Sequence, residues 1–502
     1  MKRLTFISLV AVALFSALQS CSDFEEINTD PTSIKYGNAK PLSLIQNIIH
    51  GGTWSILYHS VKLNSDLMQY SVYIESGEQI SNYIIKPEES NDIWTGIAPR
   101  AAACQRMYEL AEKDGDENCM AIALTLKAFY VSNLTDVFGD IPYSEAFRAE
   151  YGNVTPKYDT QKDIYTSLIA ELDSANTLYS KSKELDSPQK DLLYGGDVAR
   201  WQRFTNSLRM RFLMRVSGHP EMNAPAEMRK MLGNPTDYPM FEKNEDAAIL
   251  HYTGEIPNIN GFGPAGTLKV KLHSNRRMCS TLVDLMGRSS DPRSGYYFGG
   301  VESPSDSKYL GQYRGIPTGY DYDEINVWVG EGASTYALTL ESNTQPTTLM
   351  SFAELNFILA EAAFRGFIDG DPKQWYDRGV TASVQEWCGS DQKTDNLLEN
   401  TATKYDPTKG LEMIMEQKYI ASFLVGFEAW NDYRRTGLPL LPIGPAAQNK
   451  DFQGVSHIPE RLIYPIISQS TNNENYLKAV EDIGGSDDML TKVWWSKGEY
   501  EK

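Results

Sequence analysis

The sequence predicts a mainly α-helical protein in which two sets of helices flank a loop-rich middle. Residues Ala121 to Leu134 are apolar almost all round, which is typical of a helix buried on every side. Residues 218–346 are instead rich in Gly, Pro, Asn, Ser and Tyr and keep no helical period for long. Because long loops often carry function, we expect an irregular ligand-binding region there.

Local capping signals support the helices of the first half. Thr160 begins a capping box with Asp163, and an apolar stripe follows at helical spacing. Asp197 can cap the next helix, in which aromatic and aliphatic residues recur every three or four positions. Two later helices are predicted from Phe352 and from Leu411, with Gly366 and Gly426 close to their ends.

Paired antiparallel helices with a degenerate repeat indicate a tetratricopeptide-like array, in which each unit buries its apolar face against its neighbour. We expect one domain over residues 41–502, with helical repeats at about 41–217 and 347–430 and a variable, loop-rich region at about 218–346. The full tetratricopeptide signature is missing, so this prediction rests partly on a family resemblance.

The N-terminus is typical of an export signal. Lys2 and Arg3 precede an apolar run that is too short for a membrane span, which predicts a signal peptide over residues 1–20. Leu18 to Cys21 resembles a bacterial lipobox, so Cys21 is the expected lipid attachment site and residues 21–40 a tether. Alternatively, Cys21 is an incidental cysteine after an ordinary signal peptide.

Charge and cysteine content exclude some classes of protein. The net charge is -19, or -21 once Lys2 and Arg3 are removed, which makes nucleic acid an improbable partner because phosphate binding needs a basic surface. Cys104 and Cys119 fall on consecutive predicted helices, at distances from the connecting turn that differ by about two helical turns. We therefore expect free, buried thiols at both positions.

The sequence indicates no catalytic residue, no metal and no cofactor. The six histidines lack zinc-site spacing, and the glycines between Gly261 and Gly266 follow no strand and open no phosphate-binding helix. The acidic runs at Asp321 to Glu324 and Asp369 to Asp371 fit surface loops better than calcium sites. The chain has 66 Asp and Glu residues, so a hidden glycosidase pair remains an alternative.

Aromatic residues are the main candidates for ligand contact. The chain has 29 Tyr and 9 Trp, and these side chains combine an apolar ring with a polar tip. Any single ring is more often packed beneath a loop than used for binding, so the group is more informative than its members. The candidate ligand-binding residues, expected outside helical stripes, are Tyr73, Trp94, Tyr313, Tyr320, Tyr322 and Trp328.

Several blocks of the sequence stand in the order and spacing of one known family. They include Asp136 to Tyr143, with the sequence DVFGDIPY, the helix from Trp201 to Arg211, and the segment from Glu428 to Gly437. In these blocks the chain resembles the SusD/RagB family of nutrient-binding outer-membrane lipoproteins. The resemblance runs from the signal peptide to about residue 480 and is weakest between Gly218 and Met350.

The resemblance implies a function that cannot be inferred from the composition alone. Such a protein is lipid-anchored to the outer membrane, faces the cell exterior, and binds glycan by aromatic stacking and hydrogen bonds. It then passes the oligosaccharide to a SusC-like TonB-dependent transporter and is not an enzyme. The alternatives are a peptide or other small nutrient as ligand, or, with less support, a surface glycosidase.

Overall fold

The computed structural model describes residues 39–77, 80–149, 152–268, 271–448 and 457–498. The predicted signal peptide, Cys21 and nearly all of the predicted tether lie outside the described residues. Among the described residues, no helix is both long enough and apolar enough to cross a membrane.

The prediction of a mainly α-helical protein is confirmed, and consecutive helices of the first half pack side by side. The helices of at least eight residues in this half are α1 (Gly52–His59), α2 (Pro87–Asp114), α3 (Glu117–Phe138), α4 (Gln161–Leu178) and α5 (Val198–Arg215). Within this set α2 contacts α3, α3 contacts α4, and α4 contacts α5. This is the paired arrangement expected of a tetratricopeptide-like array.

The local signals for these helices act as predicted. The Thr160 hydroxyl accepts a hydrogen bond from the backbone N–H of Asp163 at 3.2 Å, and the Asp197 carboxylate caps α5. Almost every residue of α3 is buried, because α2, α4 and α5 all pack against it. Cys104 and Cys119 are free and buried, as expected.

The second half continues the array. The helices of at least eight residues in the middle region are α6 (Ala224–Gly233), α7 (Ser280–Gly287) and α8 (Tyr322–Glu331). Those of the second half are α9 (Phe352–Phe364), α10 (Pro372–Cys388), α11 (Gly410–Ala421), α12 (Glu428–Thr436) and α13 (Asn473–Ile483). Helices α9, α10 and α11 contact one another, and α5 packs on α9. The two halves therefore share one hydrophobic core.

The middle region is more helical than predicted. Besides α6, α7 and α8, it contains the short helices Leu272–Asn275 and Ser294–Tyr297. The acidic run that we expected in a surface loop instead starts α8, where Asp321 and Glu324 form a reciprocal capping box. Helix α8 has only ten residues, so its hydrophobic period is too short to stand out in the sequence.

The described residues form three short antiparallel strand pairs. Strand β1 (Ser71–Tyr73) pairs with β5 (Arg276–Met278), with Val72 opposite Arg277. Strand β2 (Ile141–Pro142) pairs with β3 (Tyr158–Asp159), and β4 (Ala248–Leu250) pairs with β6 (Thr347–Met350). The pairs β1–β5 and β4–β6 connect the middle to the helical halves, and through β1 and β5 the loops of the middle are held against the N-terminal helices.

Candidate functional site

Helix α8 lies on a small hydrophobic cluster that is distinct from the main core. Its buried members are Val72, Cys279, Ile316, Ile325 and Ala333, and the half-buried Tyr320 and Trp328 pack against them. The cluster combines residues of β1, of α8 and of the segments beside both. We call α8 together with residues 309–321 and Gly332 the α8 region.

Tyr320 and Trp328 form an aromatic pair in this region. Their ring centroids are 4.8 Å apart and the ring planes meet at 80°, which is the edge-to-face geometry that aromatic pairs favour. The carbonyl of Tyr320 also accepts a hydrogen bond from Asn82 Nδ2 at 3.2 Å. Both rings are thus held in place while remaining half exposed.

Arg314 fixes the C-terminal end of α8, and sequence reasoning missed it. Its guanidinium donates to the carbonyl of Gly332 at 2.5 Å and to the Glu331 carboxylate at 2.7 Å. It also lies 4.0 Å from the ring centroid of Tyr309. A cation at a helix C-terminus stabilises the helix dipole. No local sequence pattern predicts this contact, because Arg314 lies outside α8 and reaches its C-terminal end only through the folding of the chain between them.

Tyr313 and Tyr322 are more exposed than the pair, at 48% and 45%. Tyr313 precedes Arg314, and its ring lies 5.8 Å from that of Phe298. Tyr322 stands in the first turn of α8, six residues before Trp328, which places the two side chains about 120° apart around the helix. One flat ligand face therefore cannot contact Tyr322 and Trp328 equally.

Tyr73 belongs to the neighbouring strand but points away from the aromatic pair. Val72 faces the small cluster, and successive side chains of a strand alternate between faces. On the other face, Tyr73 lines a cavity of about 120 Å³ together with Asp66 and Arg276, which form a buried ion pair. Burial acts to lower the pKa of Arg276, but the Asp66 carboxylate outweighs it and the pKa is raised.

Trp94 lies apart from the other candidates, and its placement corrects the expectation that these aromatics stand outside helices. It is in α2, where its ring meets Phe138 edge to face at 5.8 Å, and it lines an apolar groove of about 430 Å³. Tyr322 and Trp328 are likewise helical residues. The structure therefore brings together Tyr320 and Trp328, places Tyr313 and Tyr322 on the same region, and separates Tyr73 and Trp94 from them.

The α8 region presents aromatic rings at the surface, beside the exposed acidic side chains of Asp321, Asp323 and Glu324. Across the described residues, no group of three or more His, Cys, Asp or Glu is arranged to hold a metal ion. Half-exposed rings on a rigid frame are suited to stacking against an apolar ring face, with hydrogen bonds at the edges.

Comparison with known proteins identifies the relatives of this fold. The family SusD-like_2, described as starch-binding associating with outer membrane, matches residues 31–465. A solved chitin-binding protein is 26% identical with a TM-score of 0.78, covering 91% of this chain and 100% of its own. A SusD homolog from Bacteroides fragilis is 24% identical with a TM-score of 0.77, at the same coverage.

A chitin-binding SusD homolog from Flavobacterium johnsoniae also shares the fold, with 24% identity, a TM-score of 0.72, and coverage of 91% of this chain and 98% of its own. No curated protein sequence matches the chain. Since the family match spans most of the sequence, the chain belongs to the SusD-like family, which is described as starch-binding and associated with the outer membrane.

Proposed function

We propose that this chain is a non-catalytic receptor that captures an oligosaccharide at the α8 region and delivers it to a SusC-like TonB-dependent transporter. The observation that carries the proposal is the fixed, half-exposed pair of Tyr320 and Trp328. A pyranose ring has an apolar face and a rim of hydroxyls, which matches Tyr and Trp side chains because each combines a flat apolar ring with a polar tip.

The family and its solved members support a glycan over other nutrients. The family is described as starch-binding, and two structural relatives are described as chitin-binding. Starch and chitin are both polymers of uncharged pyranose rings. An uncharged ligand also avoids the electrostatic repulsion that the net charge of -19 would impose on a polyanion.

The cellular setting of the proposal rests on the N-terminus. Cys21 would carry the lipid, and the body would stand on the outer membrane facing the cell exterior. A protein held in this way needs no energy source of its own, since the partner transporter would drive uptake. Tyr313 and Tyr322 would serve as additional contacts at the edge of the site, whereas Tyr73 and Trp94 would contact ligand only if it extends beyond the α8 region.

Titration calorimetry of the unlipidated chain, beginning after Cys21, tests this function. The ligands are soluble starch fragments, chitin oligosaccharides and a mixed peptide panel, and each mixture is then assayed for released product. Glycan binding without product supports the receptor. Binding of peptide alone replaces the glycan by another nutrient, and release of shortened glycan makes the protein a surface glycosidase.

A further inference from the structure

A backbone contact behind the aromatic pair joins the α8 region to a distant part of the chain. Gly319, which immediately precedes Tyr320, lies against Gly444, and Gly444 belongs to the segment of residues 442–446 that follows α12. Both glycines are buried. The backbone N–H of Ala446 also donates to the carbonyl of Gly319 at 3.0 Å. The 442–446 segment therefore meets the chain directly before Tyr320.

This contact leaves no room for a side chain at Gly444. A Cβ atom there would lie 2.5 Å from the carbonyl carbon of Gly319, whereas Cβ atoms in real structures essentially never come within 3.0 Å of such a neighbour. The opposing atoms belong to the backbone, so they cannot rotate away as a side chain would. Gly319 has a left-handed φ of 75°, but Gly444 does not have a left-handed φ. Glycine is therefore required at position 444 by the close approach alone.

The 442–446 segment is itself fixed from below. Gln69 Nε2 donates to the carbonyl of Pro442 at 2.6 Å, and Gln69 Oε1 accepts from the hydroxyl of Thr281 at 2.7 Å. Gln69 is only 1% exposed, and its φ of 56° is a left-handed conformation that non-glycine residues seldom adopt. Because this segment is held at its base, crowding at Gly444 should displace the chain before Tyr320 instead.

Asn82 holds Tyr320 from a third segment of the chain. Asn82 is 3% exposed, and its Nδ2 donates to the carbonyl of Tyr320 at 3.2 Å. Residues 445–448 pack on the short turn Ile80–Asn82, so the two supports of Tyr320 also touch each other. Both supports act on the backbone, and the Tyr320 ring stays half exposed. They can therefore position this ring without covering it.

We propose that Gly444 is a positioning residue of the glycan site, because its missing side chain lets the backbone before Tyr320 lie where the Tyr320 ring meets Trp328 edge to face. This inference rests on the proposed capture of glycan at the α8 region. Gly444 acts through Tyr320 and does not itself contact the ligand. In Gly444→Ala the distance of 2.5 Å has to open to ordinary van der Waals contact at 3.4 Å, which displaces this backbone by roughly 1 Å. Binding sites hold their geometry within about 0.5 Å.

Calorimetry with maltoheptaose and with a soluble chitin oligosaccharide tests this role. For whichever glycan the wild type binds, we expect Gly444→Ala to bind at least about tenfold more weakly. The matched control is Gly287→Ala at the end of α7, where a Cβ atom meets nothing within 4 Å, and it should bind like the wild type. In a Tyr320→Ala chain, Gly444→Ala should cost less than about twofold more, because both changes act through one ring. A tenfold loss in both backgrounds, or wild-type affinity in Gly444→Ala, would overturn the proposal.

A measurement without ligand separates this inference from the proposed function. Trp328 is followed by fluorine NMR in protein labelled with 5-fluorotryptophan, and its resonance is assigned with Trp328→Phe. Because the Tyr320 ring lies against Trp328, we expect Gly444→Ala to move this resonance and Gly287→Ala to leave it in place. An unmoved resonance in Gly444→Ala refutes the positioning role even if the wild type binds glycan. A moved resonance in a protein that binds no glycan would remove the proposed function and leave the placement of Tyr320 by Gly444 standing.

Asn82→Ala keeps the proposal testable if circular dichroism shows that Gly444→Ala does not fold. This variant removes the hydrogen bond to the Tyr320 carbonyl and introduces no overlap. We expect it to weaken glycan binding by roughly fivefold, which corresponds to one lost hydrogen bond, and to move the Trp328 resonance. Wild-type affinity together with an unmoved resonance in Asn82→Ala would show that the backbone supports of Tyr320 do not position its ring, and would overturn the proposal.

Discussion

The guanidinium of Arg211 on α5 binds the carboxylate of Glu354 on α9 through two hydrogen bonds, each 2.6 Å long. Both side chains are almost fully buried, with 4% exposed. One turn further along α5, Arg215 donates to Glu428 of α12 at 2.6 Å. The two helical halves are therefore joined by buried ion pairs as well as by apolar packing.

Arg211→Ala is expected to lower the free energy of unfolding by about 3–5 kcal/mol, because it leaves the Glu354 carboxylate buried without its main partner. Urea denaturation measures the change. The control is Lys478→Ala, which breaks an exposed pair with Asp482 on α13 and should change stability by less than about 1 kcal/mol. A loss as small as that of the control would contradict a structural role for the buried pair.

Trp328→Ala and Tyr320→Ala are expected to weaken binding of the preferred oligosaccharide by on the order of tenfold or more, since each removes one ring of a mutually supported pair. Calorimetry gives the dissociation constants, and thermal denaturation shows whether the variants stay folded. The matched control is Trp375→Ala, a half-buried Trp of α10 outside the α8 region. Unchanged affinity in both test variants would place the glycan elsewhere.

Glu386 on α10 is expected to make stability fall as the pH rises. Burial raises the pKa of Glu386 from its usual 4.5 to about 7, although a hydrogen bond with Thr348 acts in the opposite direction. The folded state therefore binds the proton more tightly than the unfolded state does. The stabilisation that this gives is complete below about pH 4.5 and is lost as the pH passes 7.

Glu386→Gln removes this titration, so the variant should be more stable than the wild type at pH 8 by roughly 1–3 kcal/mol and similar at pH 5. Urea denaturation at both pH values provides the comparison. The control is Glu245→Gln, at an exposed acidic residue of the same surface groove, and it should change the free energy of unfolding only slightly, by the same amount at pH 5 and at pH 8. A Glu386→Gln effect that does not depend on pH would exclude the titration as its cause.

The four described thiols should differ in reactivity. Burial raises the pKa of the Cys104, Cys119 and Cys279 thiols well above the usual value, whereas the half-buried Cys388 reaches only about 11. Because the thiolate is the reactive form, a disulfide reagent at pH 8 should label Cys388 first and the other three only on unfolding. Mass spectrometry of the labelled peptides gives the order in which the four cysteines react. Labelling of Cys104 before Cys388 would contradict the prediction.

Local signals made the helical halves predictable. Thr160, Asp197 and the apolar run from Ala121 to Leu134 each act within a few residues, so their effect can be inferred from the sequence alone. Helix α8 is not predicted by the sequence, because its ten residues carry too little periodicity and the acidic run that forms its Asp321 capping box is also typical of a surface loop. Short elements leave too few positions for a hydrophobic period to emerge.

The candidate site was only partly predictable for a different reason. Tyr320 and Trp328 are among the aromatic residues predicted as candidates, and the structure places their rings in contact. In contrast, Arg276 meets Asp66 across 210 residues. Similarly, Arg435 pairs with Asp432 of the same helix at 3.0 Å, but it also donates to Glu361, which is 74 residues away, at 2.6 Å. Such pairings follow from the packing of distant helices, and no local pattern encodes them.

The ion pairs of α5 also set the order in which the chain can fold. Arg211 binds Glu354, which is 143 residues further along the chain, and Arg215 binds Glu428, which is 213 residues further along. A nascent chain that ends before α9 would have to bury the Arg211 guanidinium without its carboxylate, which is strongly unfavourable, whereas Arg215 would still have Asp136 of α3 at 3.6 Å. Helix α5 therefore reaches its native packing only after α9 has been made, so its docking depends on a distant part of the chain and cannot be completed one repeat at a time.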